Sequence, residues 1–178
     1  VPLFADMSSD ILSRPLDFGK FDFIYAGVQK NLGPAGVVLV VAKKSLVEKS
    51  PEGLPTMFRY DTFYSKNSLY NTPPAFCIYM VGKTAAWIKD QGGLPAMAER
   101  NKKKARLVYD VIDASDGFYR GHADKDSRSL MNVTFRLPSE DLEKKFVAEA
   151  LEHKLSGVKG HRSVGGMRAA IYNAMPYE

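Results

Sequence analysis

Cysteine occurs once in this chain of 178 residues, at Cys77. A single thiol excludes an internal disulfide and fits a reducing compartment, such as the cytoplasm. Set among Phe76, Ile78 and Met80, it reads as a small buried hydrophobe. No apolar run reaches the length that a membrane-crossing helix needs. Val1-Pro2-Leu3-Phe4 has neither a basic region nor a long apolar stretch behind it, so no signal peptide is expected. Metal-ligand spacing is missing, and so is a glycine-rich phosphate loop of the Walker or Rossmann kind. His122 and His153 have no supporting neighbours and read as structural histidines.

What is present describes an ordinary globular protein, with 45% hydrophobic and 25% charged residues and a net charge of +5. Much of the basic character lies in Lys102-Lys103-Lys104-Ala105-Arg106. No aromatic residues interleave with that run, which sits in a helical pattern, so it reads as a solvated helix face and not as a nucleic-acid surface. A modest positive charge suits anionic substrates. The chain opens without Met and stops at Tyr177-Glu178, just after a turn-like Met175-Pro176, so a piece of a longer protein is expected.

Local patterns predict an α/β fold. Val1–Ala5, Phe21–Ala26 and Val37–Ala42 read as buried strands, the last rich in valine. The stretch Met7–Pro15 between the first two is polar and serine-rich, and Lys43–Lys49 suits a short helix. Residues 51–72 look irregular. Thr72 reads as the N-cap and Pro73 as the first residue of a helix running to Asp90, with Phe76, Met80, Ala85, Trp87 and Ile88 on its apolar side. A second helix is expected over Pro95–Ala114, with Met97, Ala105, Val108, Val111 and Ile112 inward. Met131–Leu137 alternates as a strand, with Val133, Phe135 and Leu137 on one face. Ser139 caps a helix whose stripe is Leu142, Phe146, Ala150 and Leu155, and Gly166–Ala174 closes the pattern as a strand. Gly92-Gly93 marks a domain boundary, giving domains 1–93 and 94–178.

Lys30 is the residue with most chemical potential. Placed at the end of a buried strand, its ammonium loses hydration, and the amine becomes a usable nucleophile toward an aldehyde. The other reading open to the local sequence is a strand-end lysine that reaches water. Asp6 ends the preceding strand, where open α/β sheets place ligand-binding groups.

Asp6-Met7-Ser8-Ser9-Asp10, Tyr25-Ala26-Gly27-Val28-Gln29-Lys30-Asn31 and Gly33-Pro34-Ala35-Gly36 closely resemble the cofactor segment of phosphoserine aminotransferases. These are enzymes of the aspartate aminotransferase fold type that use pyridoxal 5'-phosphate. The segment Lys159–Ala174, with His161-Arg162, Gly165-Gly166 and Arg168, resembles the substrate-binding signature of the same family. Alone, that segment also reads as a basic surface hairpin turning at its glycine pair.

The resemblance implies that this chain is the C-terminal portion of such an enzyme, part of the large domain followed by a small α/β domain without its last helix. It implies that Lys30 bonds the cofactor aldehyde, Asp6 holds the ring nitrogen and Gln29 donates to the cofactor phosphate. Ser68–Pro74 resembles a loop that crosses a homodimer interface, so that Asn71 and Thr72 would reach the cofactor phosphate of the partner subunit. Arg168 would take the substrate carboxylate, and His161 with Arg162 its phosphate. The reaction implied passes an amino group between glutamate and 3-phosphohydroxypyruvate in serine biosynthesis, with a related substrate in pyridoxine synthesis. Another enzyme of the same fold type, or an inactive remnant, are the other readings. The missing half would leave exposed edges and apolar faces.

Overall fold

The computed structural model describes residues 1–178, which form two compact units, Val1–Gln91 and Gly92–Glu178.

The first unit is built on a three-stranded sheet of order β1-β2-β3, from β1 (Phe4–Asp6), β2 (Phe23–Gly27) and β3 (Val38–Ala42). β1 runs parallel to β2 with Asp6 opposite Tyr25, and β3 runs antiparallel to β2 with Val38 opposite Gly27. Ile24, Ala26, Val28 and Leu32 are almost fully buried, together with Met7 and Ile11 from the segment after β1. That segment therefore contributes core residues, although its serines and aspartates suggest a polar loop. The Met7 backbone N–H donates to Tyr25 and the Ile11 N–H to Met7, so the chain coils back onto the sheet.

β3 departs from expectation. Val38, Leu39, Val40 and Val41 are 60, 37, 38 and 38% exposed, because β2 is the one strand that pairs with β3. Valine-rich composition signals burial only when neighbours are there to supply it.

Short helices α1 (Lys44–Val47) and α2 (Tyr60–Tyr64) follow, with a 3-10 turn at Thr56–Phe58, so residues 51–72 are less irregular than they read. α3 (Ala75–Asp90) starts later than Thr72-Pro73 suggests, and Pro74 occupies the N-cap with no side-chain cap. Tandem prolines explain the delay, since a residue before proline is steered away from helical geometry. Ile88 is buried, but Phe76 is 69% exposed, so the apolar side of α3 is only partly covered. Cys77 is half-buried, and its thiol faces the Ala35 carbonyl oxygen at 3.4 Å.

The second unit packs α4 (Gly93–Asp113) and α5 (Glu140–Glu152) against a sheet of order β4-β5-β6. Its strands are β4 (Arg120–Gly121), β5 (Asn132–Arg136) and β6 (Met167–Ala170), all antiparallel neighbours. Val133, Phe135 and Leu137 are buried as their alternation predicts, around a core with Ala105, Ile112, Met167 and Ile171. Tyr119, Phe135 and Phe146 meet edge to face at centroid distances of 5.5–6.2 Å, a favoured aromatic geometry. Ser139 caps α5, its hydroxyl accepting from the Leu142 N–H at 3.3 Å.

Three apolar or basic assignments change. Leu155 lies beyond the end of α5 and is exposed, and Val111 is exposed on α4. Lys104, in the middle of the basic run, is only 4% exposed: its ammonium donates to the carbonyl oxygens of Ile171 and Tyr172. The run is thus not a uniformly solvated face. β6 is shorter than Gly166–Ala174, because Gly165 and Gly166 form a turn and the chain leaves the ladder after Ala170.

Candidate active site

The first unit gathers a carboxylate and an amine on adjoining loops. Asp6 closes β1, and its Oδ1 accepts from the Ser8 N–H at 2.9 Å and the Ser8 hydroxyl at 2.6 Å. Ser8 Oγ in turn accepts from the Gly27 N–H at 2.9 Å, so Asp6 is tied to the end of β2. These Ser8 bonds, with a hydrogen bond from Tyr25 and the charge of Lys30, hold the Asp6 carboxyl below its ordinary range. The Tyr25 phenol moves the opposite way, raised by its bond to Asp6. Asp6 is thus a fixed anion with one oxygen committed to Ser8.

Lys30 lies on the turn after β2, three residues beyond Gly27, and its ammonium donates to Ser9 Oγ at 3.0 Å. It is exposed, against the reading of a lysine stripped of water at a strand end. The turn itself is firm: Leu32 and Gly33 both donate to the Val28 carbonyl, and buried Asn31 donates from Nδ2 to Ile11 O at 2.8 Å. That last bond joins the Lys30 turn to the Asp6 loop. Gln29 is exposed on the same turn.

Asn71 and Thr72 are exposed, and the Asn71 amide donates to Thr72 O at 3.2 Å. Their hydrogen bonding is therefore local and does not join the Asp6–Lys30 group. Ser8, Ser9, Tyr25 and Asn31 do join it. Ser8 was legible in principle, since an aspartate two residues before a serine favours an Asx turn; Ser9 and Asn31 depend on contacts between distant segments.

The second unit carries the other predicted group. Gly160 donates its N–H to Gly166 O at 2.7 Å and Arg168 donates to Val158 O, closing a loop over His161–Gly165. Gly165 and Gly166 sit at φ +75° and +70°, a region that glycine enters freely. Both Val164 and Gly165 donate to the His161 carbonyl. His161 Nδ1 accepts from the Ser163 N–H at 3.3 Å and lies 2.7 Å from Ser163 Oγ. With Nδ1 accepting, the ring proton of the neutral imidazole belongs on Nε2, available to an anion. His161 and Arg162 are exposed, while Arg168 is half-buried in β6 with a buried Nε that has no hydrogen-bond partner. His122 and His153 are exposed.

A family model described as aminotransferase class-V matches residues 1–178. The chain belongs to the class-V aminotransferases. Among class-V relatives, the phosphoserine aminotransferase of Desulfatibacillum aliphaticivorans is 64% identical over the whole chain, which covers 49% of that protein. The solved phosphoserine aminotransferase from Bacillus circulans subsp. alkalophilus superposes with a TM-score of 0.93 at 60% identity, over 99% of this chain and 49% of that one. A PLP-bound phosphoserine aminotransferase from Trichomonas vaginalis superposes with a TM-score of 0.90 at 40% identity, over 99% of this chain and 50% of that one. The chain spans about half the length of the curated relatives it matches.

Proposed function

We propose that this chain is the lysine-bearing portion of a phosphoserine aminotransferase. The observation that carries the reading is the Asp6–Ser8–Gly27 chain beside the Lys30–Ser9 bond, an anion and an amine held on adjoining loops. Whole-chain identity of 57–64% to phosphoserine aminotransferases supports it.

The donor set fits pyridoxal 5'-phosphate. Lys30 offers a primary amine for the aldehyde, and Asp6 an already ionised carboxylate for the ring nitrogen. Gln29, with Asn71 and Thr72 from a partner subunit, offers amide and hydroxyl donors for the phosphate. Bound there, the cofactor supplies an electron sink for amino transfer. With the cofactor bound, the free Lys30 amine would serve as the general acid–base that moves a proton to and from the substrate Cα. Asp6 keeps the ring nitrogen protonated, because a fixed carboxylate stabilises an adjacent cation. Arg168 orients the α-carboxylate through paired N–H donors, and His161 with Arg162 binds a phosphate, the imidazole as a hydrogen-bond donor and the guanidinium as the positive charge. Glutamate and a phosphorylated hydroxy-pyruvate are the substrate pair, in serine biosynthesis within the cytoplasm, with a homodimer as the working unit. No helix is long and apolar enough to cross a membrane.

The exposed β3 favours a second statement, that the isolated chain is inactive or binds the cofactor weakly. The test is an absorbance spectrum of the chain and of a full-length enzyme carrying it, with pyridoxal phosphate, before and after borohydride. Trapping on Lys30 in the full-length protein supports the reading, and no trapping in either sinks it. Micromolar binding with glutamate-driven conversion by the isolated chain overturns the second statement. A rival enzyme of the same fold is separated by Arg162→Ala, which should abolish preference for phosphorylated substrate.

A further inference from the structure

The loop His161–Gly165, closed by its own backbone hydrogen bonds, is also held from outside, at Val164 and at Gly166 just after it. Two residues outside it, both absent from the sequence reading of the site, grip its backbone. Arg136 ends β5, and its Nη2 donates to the Val164 carbonyl oxygen. Glu143 stands in the first turn of α5, and its Oε2 accepts from the Gly166 N–H at 3.2 Å. The two also face each other, with Arg136 Nη1 3.7 Å from Glu143 Oε1. The Glu143 side chain is 13% exposed, whereas that of Arg136 is 47% exposed, so the carboxylate is the better shielded partner.

Space around the loop is tight where these residues touch it. A Cβ on Gly165 would stand 3.4 Å from both terminal guanidinium nitrogens of Arg136, and one on Gly166 2.8 Å from the Phe135 carbonyl oxygen. A Cβ on Gly160 would collide with the carbonyl oxygens of Gly165 and Gly166. Gly165 and Gly166 thus let β5 approach the loop backbone directly, and Gly160 lets the loop close on itself. The hydrogen bonds of Arg136 and Glu143 go to main chain, at Val164 and Gly166, and not to the His161 or Arg162 side chain.

We propose that Arg136 and Glu143 are positioning residues: a backbone latch that sets where His161 and Arg162 stand and so sets selectivity for a phosphorylated substrate. The inference rests on the assignment of His161 and Arg162 to phosphate recognition. Charge-assisted hydrogen bonds to main chain have the strength such a latch needs, and a phosphate site is sensitive to sub-ångström displacement of its donors. A guanidinium clamped at one end by a shielded carboxylate presents its donors to Val164 in a fixed orientation.

The experiment uses the full-length holoenzyme, with Arg136→Met, Glu143→Gln and Arg136→Lys compared with wild type and Arg162→Ala. The readouts are the ratio of kcat/KM for O-phosphoserine to that for serine, and inhibition by inorganic phosphate. Arg136→Met should lower the ratio about tenfold and weaken phosphate inhibition in step, the size expected for one charge-assisted bond. Glu143→Gln keeps an acceptor for the Gly166 N–H but releases Arg136, and should fall between. Arg136→Lys should recover part of the loss. Cofactor absorbance and kcat/KM for serine should stay within about twofold, a separation that loss of folding would not produce. The latch is overturned if Arg162→Ala lowers the ratio while Arg136→Met and Glu143→Gln leave it unchanged. It is also overturned if both latch variants depress the two substrates equally along with thermal stability. An unchanged ratio in Arg162→Ala removes the phosphate assignment itself and the latch's role with it.

Discussion

The ammonium of Lys104 lies 2.7 Å from the carbonyl oxygen of Tyr172 and 3.1 Å from that of Ile171, reaching them from the middle of α4. Burial, with the nearby charge of Arg100, pushes this lysine down to about 8. Beside it the Asn101 amide donates to Asn173 Oδ1 at 2.8 Å, so α4 grips the segment that follows β6 through two buried contacts.

A pH dependence follows with a definite sign. Between about 8 and the ordinary lysine value the unfolded chain binds a proton that the folded chain has lost, so stability rises with pH across that window. Below it both states are charged and the slope from this group vanishes. Lys104→Met should remove a slope of at most about 1.4 kcal/mol per pH unit. Urea unfolding of chain and variant across the window checks this through their difference. Tyr109, raised by burial, costs stability from about pH 10 upward, in the top of this window, but it does so in both proteins and cancels. Identical slopes would mean that Lys104 keeps its ordinary proton affinity in the folded chain.

Asp6 carries the second prediction. Its carboxyl is held down chiefly by Ser8, so it stays ionised to lower pH than an ordinary aspartate. Cofactor binding by a full-length enzyme should therefore show no loss from Asp6 protonation as pH falls from about 7 to about 5. Asp6→Asn keeps an acceptor for Ser8 while removing the charge, which isolates the electrostatic role. Activity should drop roughly a hundredfold, the equivalent of two pK units on a ring nitrogen. Cofactor absorbance against pH, together with steady-state rates, measures both.

The Ser139 cap is the simplest test of the second unit. Ser139→Ala leaves the Leu142 N–H without its acceptor and should cost about 1 kcal/mol, while Ser139→Asp should restore it. The first turn of α5 already carries Glu140, Asp141 and Glu143, so the aspartate adds charge where three carboxylates stand. Restoration should be partial for that reason, and denaturant midpoints would show it.

What sequence could reveal depended on how far each residue's partners lay along the chain. β5 was readable because Val133, Phe135 and Leu137 alternate, and Ser139 because capping is settled within four residues. Lys104 was hidden by its basic neighbours, yet helical spacing from Met97 through Asn101 to Ala105 and Val108 puts position 104 on the inward side of α4. Lys30 and Asp6 were found as residues, but their setting was not. Exposure of Lys30 and its bond to Ser9 depend on how the loop after β1 folds against the turn after β2. Arg136 and Glu143 gave no signal at all, since an arginine ending a strand and a glutamate opening a helix are each commonplace.

β3 leads to the last prediction. Burying a valine side chain fully is worth about 1.5–3 kcal/mol, and Val38-Leu39-Val40-Val41 leaves four apolar side chains more than a third exposed. The strand also offers the unpaired hydrogen-bonding edge opposite β2, a template for further pairing. The isolated chain should therefore bind a hydrophobic dye and associate as its concentration rises. Val38 and Val40 share one face of the strand, since side chains alternate, and replacing both by lysine should reduce dye binding and association. In a full-length enzyme the same pair should instead lower thermal stability, because the face is then covered and the charges are forced into an apolar contact. Sedimentation of the two chains and melting of the two full-length proteins separate these effects. An isolated chain that stays monomeric and dye-negative would show that β3 is shielded within this half alone.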